Sequence, residues 1–196
     1  VKKFFKNKKK GFYVDIGCYH PIEGSNTYLL YKKGWRGINV DINKTSIELF
    51  NISRKDDENY NFGISNKNQL IKVFFRKKIN MLNTLNEKIA KINFKKGYNS
   101  DYVKTITFEK LMNYSNYKNK KIDFLNLDVE GNELKVLKSI NFKKYRPRLI
   151  CVEIHNHKLS NKNDPKYYIR GPVYKFLVNK NYKVIWMKGF SFIFKS

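Results

Sequence analysis

Apolar positions in this chain gather into short blocks that break off at an acid or a glycine, and these blocks alternate with stretches of helical spacing. Phe12-Tyr13-Val14-Asp15-Ile16 is the first block. It is aromatic and β-branched without in–out alternation, the pattern of a strand covered on both faces in a parallel sheet. Gly17-Cys18-Tyr19-His20-Pro21 then turns, and Ser25 or Asn26 caps a helix over Thr27 to Lys33 that Gly34 ends. Gly37 to Asp41 is a second strand closing on an acid. Ser46 to Ser53 has helical spacing, Asp56 to Asn59 is a polar turn, and Tyr60 to Ile64 is a third strand. Leu70 to Arg76 is a further extended run. Asn80 to Gly97, rich in asparagine, predicts no regular element, and the interval 66–104 reads as an insertion over the carboxyl edge of the sheet, either a substrate lid or a plain loop.

Thr107 caps a helix over Phe108 to Tyr114. Ile122 to Leu127 is a buried strand that runs into Asp128-Val129-Glu130-Gly131-Asn132 and then a helix over Glu133 to Ser139. Leu149 to His155 is a fifth core strand, with Pro147 ahead of it. Val173 to Asn179 is a short helix, and Tyr182 to Met187 and Ser191 to Phe194 are two strands. Only three residues separate those strands, and a parallel crossover needs a dozen or more, so they form an antiparallel hairpin. The series predicts an α/β fold with a mostly parallel seven-stranded sheet and a C-terminal antiparallel hairpin. It forms a single domain over 11–196, preceded by a basic segment over 1–10.

In open α/β sheets ligands bind at the carboxyl edge, where strand order reverses, so this topology collects Asp15, Asp41 and Asp128 at one edge. Asp41 follows Asp15 by 26 residues. An acid at the end of the second strand suits two ribose hydroxyls, and the phosphate fingerprint G-x-G-x-x-G is absent. A ligand with a ribose and no pyrophosphate fits, and S-adenosylmethionine (AdoMet) is the common one. Gly63-Ile64-Ser65 offers backbone against which a cofactor base can rest.

Acids clustered at a strand end are costly unless they meet a cation, a hydroxyl or donor groups. Asp128 is therefore placed to hold a substrate, a cofactor amino group or a proton, whereas Glu130 and Glu133 favour the helix amino terminus. Glu153 and His155, two apart on a strand, share a face, and a carboxylate beside an imidazole makes a general base. His157 and His20 rank below His155 in that role. Asp128, Glu153 and His155 form too loose a pattern to imply a metal, and none is expected.

Length and composition narrow the class. The 196 residues suffice for one well-buried domain. Lys and Arg number 41 against 16 Asp and Glu, a formal +25, which invites a nucleic-acid reading. Lysine dominates and is spread along the whole chain, so compositional drift is the preferred explanation; Lys8-Lys9-Lys10, Lys77-Lys78 and Lys118 to Lys121 are the runs that would build a phosphate-binding face. Cys18 and Cys151 read as small buried hydrophobes of a reducing compartment. No C-x-x-C pattern suggests zinc, no apolar run approaches about 20 residues, and Val1 to Lys10 lacks the features of a signal peptide, which together give a cytoplasmic expectation.

Four segments, VDIGCYHPIEGSNTYLLYKKGWRGINVDIN, NFGISN, IDFLNLDVEGNELKVLKSINF and RPRLICVEIHN, together resemble the FkbM family of AdoMet-dependent methyltransferases from about Gly11 to the carboxyl terminus. The resemblance implies a Rossmann-like class I methyltransferase fold, AdoMet as cofactor, and usually O-methylation of a small-molecule or glycan acceptor, often a sugar of a surface polysaccharide, glycolipid or secondary metabolite. By position, Asp15, Gly17 and Asn26 match the family's cofactor loop, with Cys18 and Thr27 beside them, and Asp41 matches its ribose acid, with Ile42 adjoining. Asp128, Glu130 and Gly131 match the D-x-E-G block. Where many methyltransferases carry D-x-G-x-x-x-G, this chain has Pro21 at the last position. Two rival classes remain: an RNA methyltransferase using the positive surface, and a non-catalytic binding module on the same fold.

Overall fold

The computed structural model describes residues 1–76, 83–154 and 171–196. The expectations for Lys77-Lys78, His155 and His157 lie outside the described residues. The seven strands of the main sheet and the helices that flank them follow the sequence pattern closely. Phe12–Ile16 (β1), Arg36–Asp41 (β2), Glu58–Asn61 (β3), Phe124–Leu127 (β7) and Leu149–Glu153 (β8) run parallel. Lys183–Lys188 (β9) and Ser191–Lys195 (β10) close the sheet as an antiparallel hairpin, with β10 against β8, and the order is β3-β2-β1-β7-β8-β10-β9. Strand order reverses between β1 and β7, which places the crevice of the sheet at their carboxyl ends.

The absence of alternation in β1 has the expected cause, because every one of its residues is buried. Phe12, Val14 and Ile16 point into one cluster with Ile38, Leu125 and Ile150. That cluster also takes in helices Phe108–Tyr114 (α4), Glu133–Lys138 (α5) and Pro172–Asn179 (α6). Tyr13 points the other way, with Trp35, Phe124 and Leu149, into a cluster covered by helix Tyr28–Tyr31 (α1) and by Phe5 of the amino-terminal segment. Phe5 meets Trp35 edge-on at 4.9 Å, so residues 1–10 are packed onto the sheet.

Three boundaries differ from the sequence expectation, each for a local reason. The first helix is limited to Tyr28–Tyr31, because Thr27 is its cap residue and the Lys33 and Gly34 amides turn to the carbonyls three residues back, of Leu30 and Tyr31. The second, Lys44–Ser53 (α2), begins earlier than Ser46, since Asn43 Oδ1 accepts from the Thr45 amide at 2.9 Å. The third strand starts within the polar turn, at Glu58, because Asp57 accepts from Gly37 N at 2.8 Å, from Asn39 Nδ2 and from the Tyr13 hydroxyl. Gly63–Ile64 (β4) leaves that strand to join a second sheet.

The second sheet occupies the interval read as an insertion. Gln69–Phe75 (β5) and Asn99–Ile106 (β6) pair antiparallel, β4 pairs parallel to β6, and helix Glu87–Asn93 (α3), capped by Asn86, lies in the stretch for which no element was expected. Ile89 and Ala90 are the buried residues that hold this helix down.

Leu125→Ala in the central strand, a fully buried site, is expected to cost about 2–5 kcal/mol through lost burial and a residual cavity. Urea unfolding checks it; an unchanged midpoint would contradict the central place of β7.

Candidate active site

The crevice begins where two backbones cross. Gly17, at φ +77°, follows β1, and a Cβ there would overlap the carbonyl of Asp128 at the end of β7. Only glycine permits both the positive φ and that approach. Gly17 N and Cys18 N both donate to Val40 O, at 2.8 and 3.3 Å, and Asp128 N donates to Ile16 O at 2.9 Å. Three strand ends are thereby fixed to one another before any side chain acts.

Asp15, just inside this crossing, is 1% exposed and has both oxygens engaged. Thr27 Oγ1 donates to Oδ2 at 2.6 Å and Asn126 Nδ2 donates to Oδ1 at 2.8 Å. Asn26 Nδ2 donates in turn to Asn126 Oδ1 at 2.9 Å. Arg54, fully buried, lies behind Thr27: Nη1 donates to Thr27 Oγ1 at 2.7 Å, Nη2 to Ser25 Oγ at 2.6 Å and Nε to Pro21 O at 2.8 Å. Burial pushes the Asp15 carboxyl up, and the bonds from Thr27 and Asn126 and the charge of Arg54 oppose that rise. Pro21, the departure from the common loop pattern, thus supplies a carbonyl to the guanidinium.

Asp41 ends β2 with one backbone amide on each oxygen, Tyr19 N on Oδ2 and Asn43 N on Oδ1, both at 2.8 Å. The Ile42 amide also favours its ionised form, and a carboxylate offers about four lone-pair positions, so capacity remains for a ligand hydroxyl. Burial raises its pKa to about 6 against the pull of those amides.

At the end of β7 the acids converge. Asp128, Glu130 and Glu153 bring carboxylate oxygens within 4.8 Å of one another, spacing over which carboxylates can share a proton, a cation or a hydroxyl-bearing ligand. Burial first, and then the charges of Glu153, Glu130 and Glu133, push Asp128 up to about 8. Glu130 adopts φ +47°, and its carbonyl accepts from Thr84 Oγ1 at 2.6 Å, which ties the second sheet to the acid cluster. Glu133 accepts from Gly131 N at 3.0 Å, a helix-capping contact. Asn132, 2% exposed, has no partner for either side-chain polar atom among the described residues.

The structure therefore brings Asp15, Gly17, Asn26, Thr27, Asp41, Asp128 and Glu153 to one edge, with Glu130 joining Asp128 and Glu153. Cys18 faces inward, packed on Ile47 and Phe50, with its thiol pushed well up by burial. Ile42 lies at the mouth beside Gly63. Ile64 is a core residue, and the Ser65 amide is spent on Ile106 O at 2.9 Å. His20 Nδ1 accepts from the Ile22 and Glu23 amides, so it braces the turn. Arg54, Asn126 and Thr84 escaped the sequence reading; the one signal for Arg54 is an arginine in a chain where lysine dominates.

A family profile described as the methyltransferase FkbM domain matches residues 15–184. No curated protein and no solved structure matches the chain.

Arg54→Ala removes the donors to Pro21, Ser25 and Thr27 together and is expected to cost about 3–5 kcal/mol, as loss of one member of a buried charged network does. Thermal melting checks this. Arg54→Lys, which cannot reproduce the fork, is expected to recover only part of the loss.

Proposed function

The chain belongs to the FkbM methyltransferase family, and from that premise we propose that it transfers a methyl group from AdoMet to a hydroxyl of a sugar or glycan precursor. The observation that carries the reading is the carboxylate group of Asp128, Glu130 and Glu153 at the reversal point of the sheet, directly across the Gly17 crossing from the cofactor loop.

The residues present fit such a cofactor. Asp41 keeps capacity for a ribose hydroxyl beside its backbone donors, and Asn132 holds buried polar atoms that no group among the described residues satisfies. AdoMet, when bound, supplies a methyl group on a positively charged sulfur, already activated towards displacement by an oxygen.

What remains for the protein is positioning and proton removal. Asp15, Thr27, Asn126 and Arg54 hold the loop in one geometry, the kind of rigidity that alignment of two reacting atoms demands. Asp128 is the proposed base, with His155 the second candidate. A carboxyl raised to about 8 is a stronger proton acceptor than an ordinary carboxylate and is partly ionised near neutrality, the compromise that general-base catalysis favours. Glu153 and Glu130 keep it there by repulsion and are placed to accept from neighbouring hydroxyls of a polyol. A sugar offers several hydroxyls at that spacing, which is why this acceptor class is favoured.

Calorimetric titration should show saturable AdoMet binding and none for NAD, and Asp41→Ala should weaken AdoMet about tenfold or more, as loss of a charge-assisted hydrogen bond to a ribose hydroxyl implies. Absence of AdoMet binding would leave the fold without the chemistry.

If Asp128 is the base, turnover must rise with pH through an inflection at about 8 and level off above it, since only the ionised form accepts a proton. Asp128→Asn should remove that inflection and lower turnover by roughly 10²–10⁴ while AdoMet affinity stays close to that of the parent. An unaltered pH profile would assign the proton to another group.

A further inference from the structure

The opposite edge of the sheet carries a feature the methyl-transfer reading does not use. The amino ends of β1, β2, β7 and β8 surround a cavity of about 730 Å³, a volume suited to a small molecule. Nine of its fourteen lining residues are Lys or Arg, against 41 in the 196-residue chain. Lysine drift does not account for this, because three of the nine, Arg36, Arg146 and Arg148, are arginines. The basic runs near Lys8 and Lys120, far apart in sequence, meet here.

The one acid in the lining is already neutralised. Asp123 is 3.5 Å from Arg148 Nη1 and 2.5 Å from Lys8 Nζ, and its Oδ2 accepts from Phe12 N at 3.1 Å. Among the described residues no carboxylate pairs with Lys10, Lys120, Lys121, Lys143, Lys144 or Arg146. Like charges gathered around one concavity repel, and the field they focus draws in an anion. Several heads are held in place: Lys120 lies 5.0 Å over the Tyr117 ring, Lys144 4.7 Å over Tyr145 and Arg146 4.9 Å over Tyr182.

We propose that this cavity binds a compact polyphosphate, a small ligand carrying two or more linked phosphates. The concave shape favours it over a bilayer, which needs a broad convex or flat contact. Nucleic acid fits less well, because Phe12, Tyr145 and Tyr182 are buried, and Tyr117, the partly exposed ring, is packed on Phe12 and covered by Lys120. β1 spans five residues, so the cavity is about 15 Å from the crevice, and its occupant is not the group that receives the methyl.

The test is calorimetry of the whole chain with inorganic tripolyphosphate, on the parent, on Lys121→Glu/Arg146→Glu, and on Lys104→Glu/Lys110→Glu, which carries the same charge change outside the cavity. Circular dichroism establishes that all three are folded. Expected are one site per chain, affinity lowered about tenfold or more in the cavity variant and nearly unchanged in the control, steep weakening with salt, and AdoMet affinity equal in all three. Equal losses in the two variants, or several weak sites, would overturn the proposal in favour of diffuse charge. A 20-nucleotide RNA that binds more tightly than tripolyphosphate and displaces it would assign the cavity to nucleic acid. Phosphatidylglycerol vesicles that retain the chain against excess tripolyphosphate would assign it to a membrane surface. Either result would also overturn the proposal, and neither touches the methyltransferase reading, whose readout is AdoMet binding.

Discussion

A carboxylate and a guanidinium share the interior of this protein without touching. Asp15 and Arg54 are both almost fully buried, and Thr27 Oγ1 stands between them, donating to one and accepting from the other. Burying either charge alone would cost several kcal/mol, and the arrangement is tolerable only because each group is hydrogen-bonded on every side. That condition dictates the neighbourhood. Asn126 must come from β7, Thr27 from the loop, Ser25 and Pro21 from the same turn, and Arg54 from the end of α2. The network joins the first strand, the turn after it, the second helix and the central strand beside it.

The crossing of Gly17 over Asp128 puts a second constraint on the same edge, and the acids gathered there work against stability. A carboxyl whose folded pKa is raised favours the fold while protonated, a contribution complete below its unfolded value near 4 and lost as pH rises through the folded value. For Asp128 that window runs to about 8 and for Asp41 to about 6. At neutral pH the fold therefore holds Asp41 largely ionised against its own preference and keeps Asp128 largely protonated, a cost expected at a functional edge. The Arg54 network supplies the rigidity that lets it do so.

Much of this was legible along the chain. The non-alternating apolar runs of β1, β7 and β8 stand out because both faces are buried, and Asp15, Asp41 and Asp128 stand out because each ends or interrupts such a run. The close spacing of the last two strands forces the hairpin. Partners across the fold were not legible. Asn126 looks like one polar residue in an apolar block, and Arg54 like a solvated helix end; only the assembled sheet brings them to residues 111 and 27 positions away. The second sheet was hidden because Asn86, Asn93 and Asn99 read as loop, whereas Asn86 caps a helix and Asn99 opens a strand. Glu58 and Asn59 read as a turn, although pairing with β2 and the bond from Asn39 to Asn59 make them part of a strand.

The pairing of β4 with β6 has a consequence for how such an edge diversifies. Gly63 lies opposite Thr105 and Ile64 opposite Ile106, so the chain departs from the main sheet and returns to it at the same place. An excursion whose ends already meet can be lengthened, trimmed or exchanged with little added closure entropy and without re-registering the parent strands. The second sheet is in this sense a cassette. It reaches the acid cluster through the bond from Thr84 to Glu130 and the packing of Ile89 on Gly131, so a recombined cassette would remodel the surroundings of the acids while the loop after β1 keeps its shape.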